Sequence, residues 1–259
     1  MIVVKLGGSA ITDKRTSCKA RSADISRLAR ELAPFASELL IVHGAGSFGH
    51  IGAAKYGLRN GLGAKNALLG AATVQREVRA LNLMVCEALH KAKVPAVSIP
   101  PSTFIRFTSG SLSDYDLRQF HDAIAMGFVP VTFGDVVPDI DQGVAICSGD
   151  VLVKLLACEF KAKAAVFASD VDGVFDADPK QSRGAKLLTD IDPLRPFAVK
   201  SGSSKVKDVT GAMAGKIEAA LDVAALGAEV YIVNGRVPGR LAALLGRRKG
   251  KWTRIGGIR

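Results

Sequence analysis

The stretch "IVHGAGSFGH", Ile41–His50, decides how this chain is read. A run of apolar residues stops at a glycine, small residues follow, and a histidine closes the segment. A second stretch, "VVKLGGSAITDK" (Val3–Lys14), has the same grammar: an apolar run, a glycine pair, a serine and then a cation. Parallel α/β sheets bind ligands beyond the carboxyl ends of their strands, and polar glycine-rich turns gather there.

Reading outward, short β-branched runs at 2–6, 39–43, 96–99, 128–133, 164–168 and 229–233 are strand candidates. Amphipathic stretches lie between them. "ADISRLARELAPF" places Ile25, Leu28, Ala29 and Leu32 on one helical face. A long segment from Asn66 repeats apolar residues at Ala67, Ala71, Val74, Val78, Leu81, Val85 and Leu89. That seam reads as a core or subunit-facing seam, with the wall of an apolar ligand pocket as the alternative. "VLVKLLACEF" and "AMAGKIEAALDVAALG" give two more helices, the second stopped by Gly227. Strands alternating with helices predict an α/β fold: a three-layer αβα sandwich around a mostly parallel sheet. No internal repeat or low-complexity linker interrupts it. The softest boundary, near Thr132–Gly143, divides approximate lobes 1–135 and 136–259 that share one sheet.

The 259 residues fit one large α/β domain, and 48% hydrophobic content supports a sizeable core. No apolar run approaches the ~20 residues needed to span a bilayer, so no membrane partner is expected. "MIVVKLGG" reads as a strand and not as a signal peptide. Cys18, Cys86, Cys147 and Cys158 form no C-x-x-C pair and no metal-like cluster, which predicts reduced thiols in a cytoplasmic protein and no protein-held metal. The net charge of +11 points to an anionic partner. Much of it lies in Asp13–Arg21 and in a basic C-terminal segment containing Arg236, Arg240, Arg247, Arg248, Lys249, Lys251, Arg254 and Arg259. Nucleic acid is a poor candidate, because only 6% of the chain is aromatic and the tail has the single Trp252.

Four glycine turns carry the chemistry: Gly7-Gly8-Ser9, Gly44-Ala45-Gly46-Ser47, Ser148-Gly149-Asp150 and "DVTGAMAGK" (Asp208–Lys216). Neither "HGAGSFGH" nor "KLGGS" is a G-x-G-x-x-G following the expected pattern, and there is no P-loop: "GAMAGK" is one spacer short and is followed by Ile217. Lys5 sits inside an apolar strand, and a buried lysine needs an anion beside it. Lys14 follows the first turn, and Lys216 is placed in the first turn of a helix. Three cations converging on glycine turns match phosphoryl transfer, which needs charge neutralisation and in-line positioning. Asp150 is placed between Lys5 and Lys216 as their orienting carboxylate. "ASDVDGVFDADPK" (Ala168–Lys180) lacks the glutamate of a calcium loop. It suits adenosine and ribose contact, with Asp170 as acceptor and Phe175 as apolar packing.

Taken together, "KLGGS", "HGAGSFGH", "SGD", "ASDVDGVFDADP" and "DVTGAMAGK" resemble the amino acid kinase superfamily in order and spread. Within it, the histidine ending "GAGSFGH", with "KLGGSAITDK" and "VPVTFGDVV", resembles the isopentenyl phosphate kinases. That resemblance implies an enzyme using ATP and Mg²⁺ to phosphorylate isopentenyl phosphate, in an alternative mevalonate route. It implies that Lys5, Lys14 and Lys216 hold the ATP phosphates and the transferred group, with Gly7, Gly8, Ser9, Ala45 and Gly211 around the phosphates. Asp150 would organise the lysines. Asp170, Phe175, Asp176, Asp178, Pro179 and Lys180 would meet the nucleotide. Gly44, Gly46, His50 and Gly149 would hold the acceptor monophosphate, with His50 as an imidazolium whose pKa that phosphate raises. The lobes would divide into acceptor-binding and dimerising (1–135) and nucleotide-binding (136–259), in a homodimer joined through the first. One departure is Ala212, where the family often has glycine. Fosfomycin or another small phosphonate is the alternative acceptor, and a nucleotide-sensing regulator is the alternative class.

Overall fold

The computed structural model describes residues 1–177, 182, 184–194 and 211–256, with backbone only for 211–214. The first half runs β1 (Ile2–Leu6), α1 (Gly8–Ile11), α2 (Ser22–Leu32), β2 (Leu39–His43), α3 (Gly46–Lys55), α4 (Ala67–Lys91) and β3 (Ala96–Ser98). It continues with β4 (Ile105–Thr108), β5 (Ser111–Tyr115), α5 (Arg118–Ala125), β6 (Val129–Phe133), β7 (Asp135–Asp139) and β8 (Gly143–Cys147). The second half holds α6 (Gly149–Glu159), β9 (Ala164–Ser169), β10 (Val174–Phe175), β11 (Leu187–Leu188) and β12 (Asp190–Ile191). It closes with α7 (Gly211–Ala225), β13 (Glu229–Asn234), α8 (Arg240–Leu245) and β14 (Trp252–Ile255).

Eight strands form the main sheet in the order β12–β14–β13–β9–β1–β2–β6–β3. Every adjacent pair is parallel except β13–β14. The central strands β1, β2, β6, β9 and β13 are mostly buried and read as nearly continuous apolar runs. Residue parity then separates two cores. Val4, Leu6, Ile41, Val166 and Val233 face the layer of α2, α3, α4 and α8. Val3, Val42, Phe167 and Ile232 face the layer of α6 and α7. This is the three-layer sandwich expected from the sequence. Lys5, two residues after Val3, therefore points to the α6–α7 side.

All seven residues of the α4 seam are buried within the chain, so the seam is core. Gly227, at φ +91°, stops the chain just after α7 in the left-handed region that glycine favours. The segment read as a soft boundary is itself structured: β7 and β8 pair antiparallel from Asp135↔Cys147 to Asp139↔Gly143. They join β4 and β5 in a four-stranded sheet that the sequence reading did not find. Its outer strand, "SLSDY", is mostly exposed and polar, so it carries no buried apolar run to signal a strand.

Candidate active site

The carboxyl ends of β1 and β2 lead into two helices whose starts touch. A Cβ added to Gly8 would lie 2.5 Å from the Gly46 Cα, and one added to Gly44 would lie 2.6 Å from the Gly8 nitrogen. These glycines thus make room for each other's backbone, in addition to any room for a ligand expected from the sequence. Thr12 locks the junction: its Oγ1 donates to the Gly8 carbonyl (2.7 Å) and accepts from the Ser47 N–H (3.1 Å). Residues 46–50 continue as the first turns of α3 instead of a loop, so His50 stands one turn inside a helix.

Lys5 is 8% exposed, and its Nζ lies 2.6 Å from Asp150 Oδ1. The anion demanded by a lysine in an apolar strand is therefore supplied from 145 residues away. Ser148 caps α6 by accepting from the Val151 N–H at 3.3 Å, which sets Asp150 in the first turn. A Cβ on Gly149 would come 3.1 Å from Lys5 Cε, so glycine keeps the lysine's path open. The ammonium also lies 5.8 Å from the centre of the Phe167 ring, its register neighbour on β9.

The second carboxylate is Asp170, just past β9. Ser9 Oγ donates to Oδ1 (2.7 Å) and Lys14 Nζ to Oδ2 (3.1 Å). Burial pushes this carboxyl up, but the hydrogen bonds from Ser9 and Lys14 more than reverse that and hold it at about 2. Lys216 Nζ donates to Ser169 Oγ at 2.6 Å. Burial, with the positive charge of Lys5 next, lowers the Lys216 ammonium to about 8. It stands in the second turn of α7, not the first, because the helix already starts at Gly211. Its hydrogen bond goes to Ser169, while Asp150 reaches it as a nearby charge. Three lysines thus surround one space, held apart by two carboxylates.

Asp170 was expected at a ribose; here it fastens the first glycine turn to the strand end beside it. Phe175 and Asp176 lie on the β10–β11 hairpin, where Asp176 Oδ1 accepts from the Lys186 N–H at 2.7 Å. Asp178, Pro179 and Lys180 lie outside the described residues.

Beside Lys5 and Asp150 opens a cavity of about 130 Å³. Gly8, Gly44, Ala45, His50 and Gly149 line its polar end; Ala53, Val74, Val78, Val136 and Ile146 line the other. The α4 seam therefore serves both readings, since Val74 and Val78 are core residues that also wall this cavity. His50 is exposed at its mouth, yet enough protein surrounds the ring that burial, followed by Lys5, pushes its pKa down. The shift is opposite in direction to the rise expected beside a bound phosphate. His43 is wholly buried and held at about 4 by burial. It is a neutral structural residue between the Gly44 carbonyl (3.1 Å) and Asn82 (3.2 Å).

Two acidic residues were not singled out from the sequence. Asp135 lines the cavity, 3% exposed, with burial raising its carboxyl to about 7. Asp172 holds Asn234 (2.9 Å), Arg240 (2.5 Å) and Lys251 (2.9 Å), and so anchors the turn that carries Asp170. Its signal was the acidic turn "SDVDG", but its partners are remote in sequence.

A family model described as the amino acid kinase family matches residues 1–234. The chain is 38% identical to the isopentenyl phosphate kinase of Methanothermobacter thermautotrophicus, over 99% of each chain. It is 36% identical to the isopentenyl phosphate kinase of Thermoplasma acidophilum, over 93% of this chain and 94% of that one. A solved isopentenyl phosphate kinase structure superposes with a TM-score of 0.85 at 36% identity, covering 98% of this chain and 99% of the other.

Proposed function

The chain belongs to the amino acid kinase family, and on that premise we propose that it transfers the γ-phosphoryl group of ATP to isopentenyl phosphate. The product is isopentenyl diphosphate, a building block of isoprenoid synthesis. One observation carries the acceptor: a cavity that combines the Lys5 ammonium and the glycine turns with the aliphatic side chains of Val74, Val78, Val136 and Ile146 in one lining. Its volume is about 130 Å³. A cavity of about 150 Å³ holds a six-carbon ring, so a five-carbon tail fits the end formed by Val74, Val78, Val136 and Ile146. A glutamate acceptor would press a polar group against those aliphatic walls without a partner, which is costly.

The acceptor oxygen is already ionised near neutrality, because a phosphate monoester has its second pKa near ~6. No general base is required, and the chain's share of catalysis is positioning and charge. In this reading Lys5, steadied by Asp150, and Lys216 meet the transferred group. Lys14, steadied by Asp170, meets the donor phosphates. His50 donates an N–H to the acceptor phosphate. Among the described residues no cluster of three metal-binding side chains occurs. Mg²⁺ therefore fits as an ion carried on the nucleotide's phosphate oxygens, as is usual for it, where it neutralises charge. For the lobes, we place acceptor binding mainly in 1–135, with Val136 and Ile146 added from the β7–β8 hairpin, and the nucleotide mainly in 136–259.

A homodimer is supported by exposed apolar side chains in the two halves of α4, Leu68 and Leu69 in the first and Leu83 and Met84 in the second. Light scattering should give twice the 27.1 kDa chain mass, and a monomer mass at micromolar concentration would refute it. A cytoplasmic setting is supported by four free cysteines and by the absence, among the described residues, of a helix long and apolar enough to cross a membrane. The acceptor is tested by ADP release with isopentenyl phosphate, fosfomycin and glutamate side by side. Turnover with fosfomycin or glutamate exceeding that with isopentenyl phosphate would overturn the assignment.

A further inference from the structure

A second cavity, of about 700 Å³, lies along β13 and β14. Its volume falls within the ~300–1,000 Å³ typical of small-molecule sites. It sits where β9 and β13 begin, between Lys163, Glu229 and Tyr231 on one side and Arg247, Arg248 and Trp252 on the other. β9 runs six residues from this end to Ser169 at the lysine cluster, roughly 20 Å at ~3.3 Å per residue. Trp252, opposite Val233 on β13, reaches back toward the other strand end, but Tyr231 and Trp252 pack on the α2–α8 face while Lys5 faces α6 and α7, so the sheet itself separates this cavity from the phosphoryl-transfer site. It exists because α8 is only six residues long. Leu244 of that helix shares the lining with Tyr231, Trp252 and Arg254.

Its charge is unbalanced. Glu229 is the lining carboxylate, and it is already engaged: Oε1 pairs with Arg254 at 2.7 Å and Oε2 accepts from the Tyr231 hydroxyl at 2.6 Å. Lys163 pairs with Glu38 outside the lining. Arg247 and Arg248 are exposed, and neither has an ion-pair partner among the described residues. Adjacent guanidinium groups are suited to bidentate phosphate binding. Trp252 adds a planar wall held in place by its neighbour, since a Cβ on Gly250 would lie 1.9 Å from its ring. Base–aromatic stacking tolerates any base, because every base has a flat face.

We propose that this cavity is a second ligand site that binds a nucleoside monophosphate or diphosphate, with Arg247 and Arg248 on the phosphate and Trp252 against the base. The concave shape and bounded volume favour a free nucleotide over a nucleic-acid strand, for which the described surface shows no continuing row of aromatic side chains. This gives Arg247 and Arg248 a role, while Arg240, Lys251 and Arg254 of the same basic segment are already paired with Asp172, Asp190 and Glu229.

Trp252 is the chain's single tryptophan, so its fluorescence reads this site directly. Titrating the full-length protein with AMP should quench it saturably below about 1 mM. Raising the salt from about 50 to 300 mM should weaken the binding. In Arg247→Gln/Arg248→Gln the affinity should fall at least about tenfold, the effect of losing one charged hydrogen bond, with kinase turnover measured without AMP unchanged. Arg248→Gln alone, on the exposed surface, should show a smaller loss in the same direction. No saturable change with AMP would overturn the proposal. So would a quench that persists in the double variant, or tighter binding of a short single-stranded oligonucleotide than of AMP.

Discussion

Asp150→Asn removes a charge from the site while keeping its shape. Lys5, 8% exposed, then loses the carboxylate 2.6 Å from its ammonium. Breaking a fully buried pair costs about 3–5 kcal/mol. The Asp150 side chain is 28% exposed, and the cavity beside it admits water, so roughly 1–2 kcal/mol is expected here. At about 2–4 °C per kcal/mol for a chain of this size, the melting temperature should fall by about 2–8 °C. The catalytic loss should be larger in proportion, because removing one donor from developing charge costs about 10²–10³ in rate. Lys5→Ala should lose a similar factor and destabilise by a similar amount, since it leaves the buried Asp150 Oδ1 without the ammonium beside it. Asp150 is argued to act through Lys5, so the double variant should turn over within about threefold of the worse single variant. It should also melt above Asp150→Asn alone. Steady-state ADP release and thermal melts of all four proteins make the test. Losses that multiply to roughly 10⁴–10⁶ in the double variant would show that the two residues act separately, and the pairing would carry no catalytic meaning.

His50→Ala should lower kcat/KM for the acceptor about ten- to a hundred-fold and leave the KM for ATP unmoved, with His50→Gln recovering part of the loss; a raised KM for ATP would put the histidine at the donor end. The Lys216 ammonium, lowered to about 8, loses its proton as pH rises through that value. The free enzyme's kcat/KM for ATP should therefore fall on the alkaline side of about pH 8, and a profile flat to pH 9.5 would remove Lys216 from phosphate binding. Ile146→Phe intrudes on the apolar end of the 130 Å³ cavity and should raise the acceptor's KM several-fold without changing that for ATP; equal effects on both would place the tail elsewhere.

The main sheet was legible because its central strands are covered on both faces. Six of its eight strands were read from apolar runs such as "IVVKL" and "LLIVH", whereas β12 ("DI") and β14 ("WTRI") are too short and polar to signal a strand and were missed. The smaller sheet was not legible, because its outer strand is polar and Pro138 sits inside β7, where a proline argues against a strand. The lysines were legible for a related reason. A cation inside an apolar run has few explanations, so Lys5 announced that a counter-charge must exist, though not where it lay. The glycines were legible as turns, but part of their physical cause was hidden. Gly8, Gly44 and Gly46 are small also because two strand ends must meet backbone to backbone, a contact between segments about 35 residues apart.

That contact explains why the site needs its particular architecture. β1 and β2 are neighbours in the sheet, so their glycine turns emerge side by side, and α6 opens over the same end with Asp150 in its first turn. Parity sends Lys5 toward α6, while Ser9 and Lys14, beyond the strand, reach Asp170 at the end of β9. Each lysine is thus steadied by a carboxylate or hydroxyl from a different strand or helix. The pocket stays cationic without any one element carrying two adjacent like charges. Shifting β1 by one residue would turn Lys5 toward α2 and α4, into a wholly apolar core, where an unpaired ammonium is costly. The register of the first strand and the chemistry of the site are therefore fixed by the same buried charge.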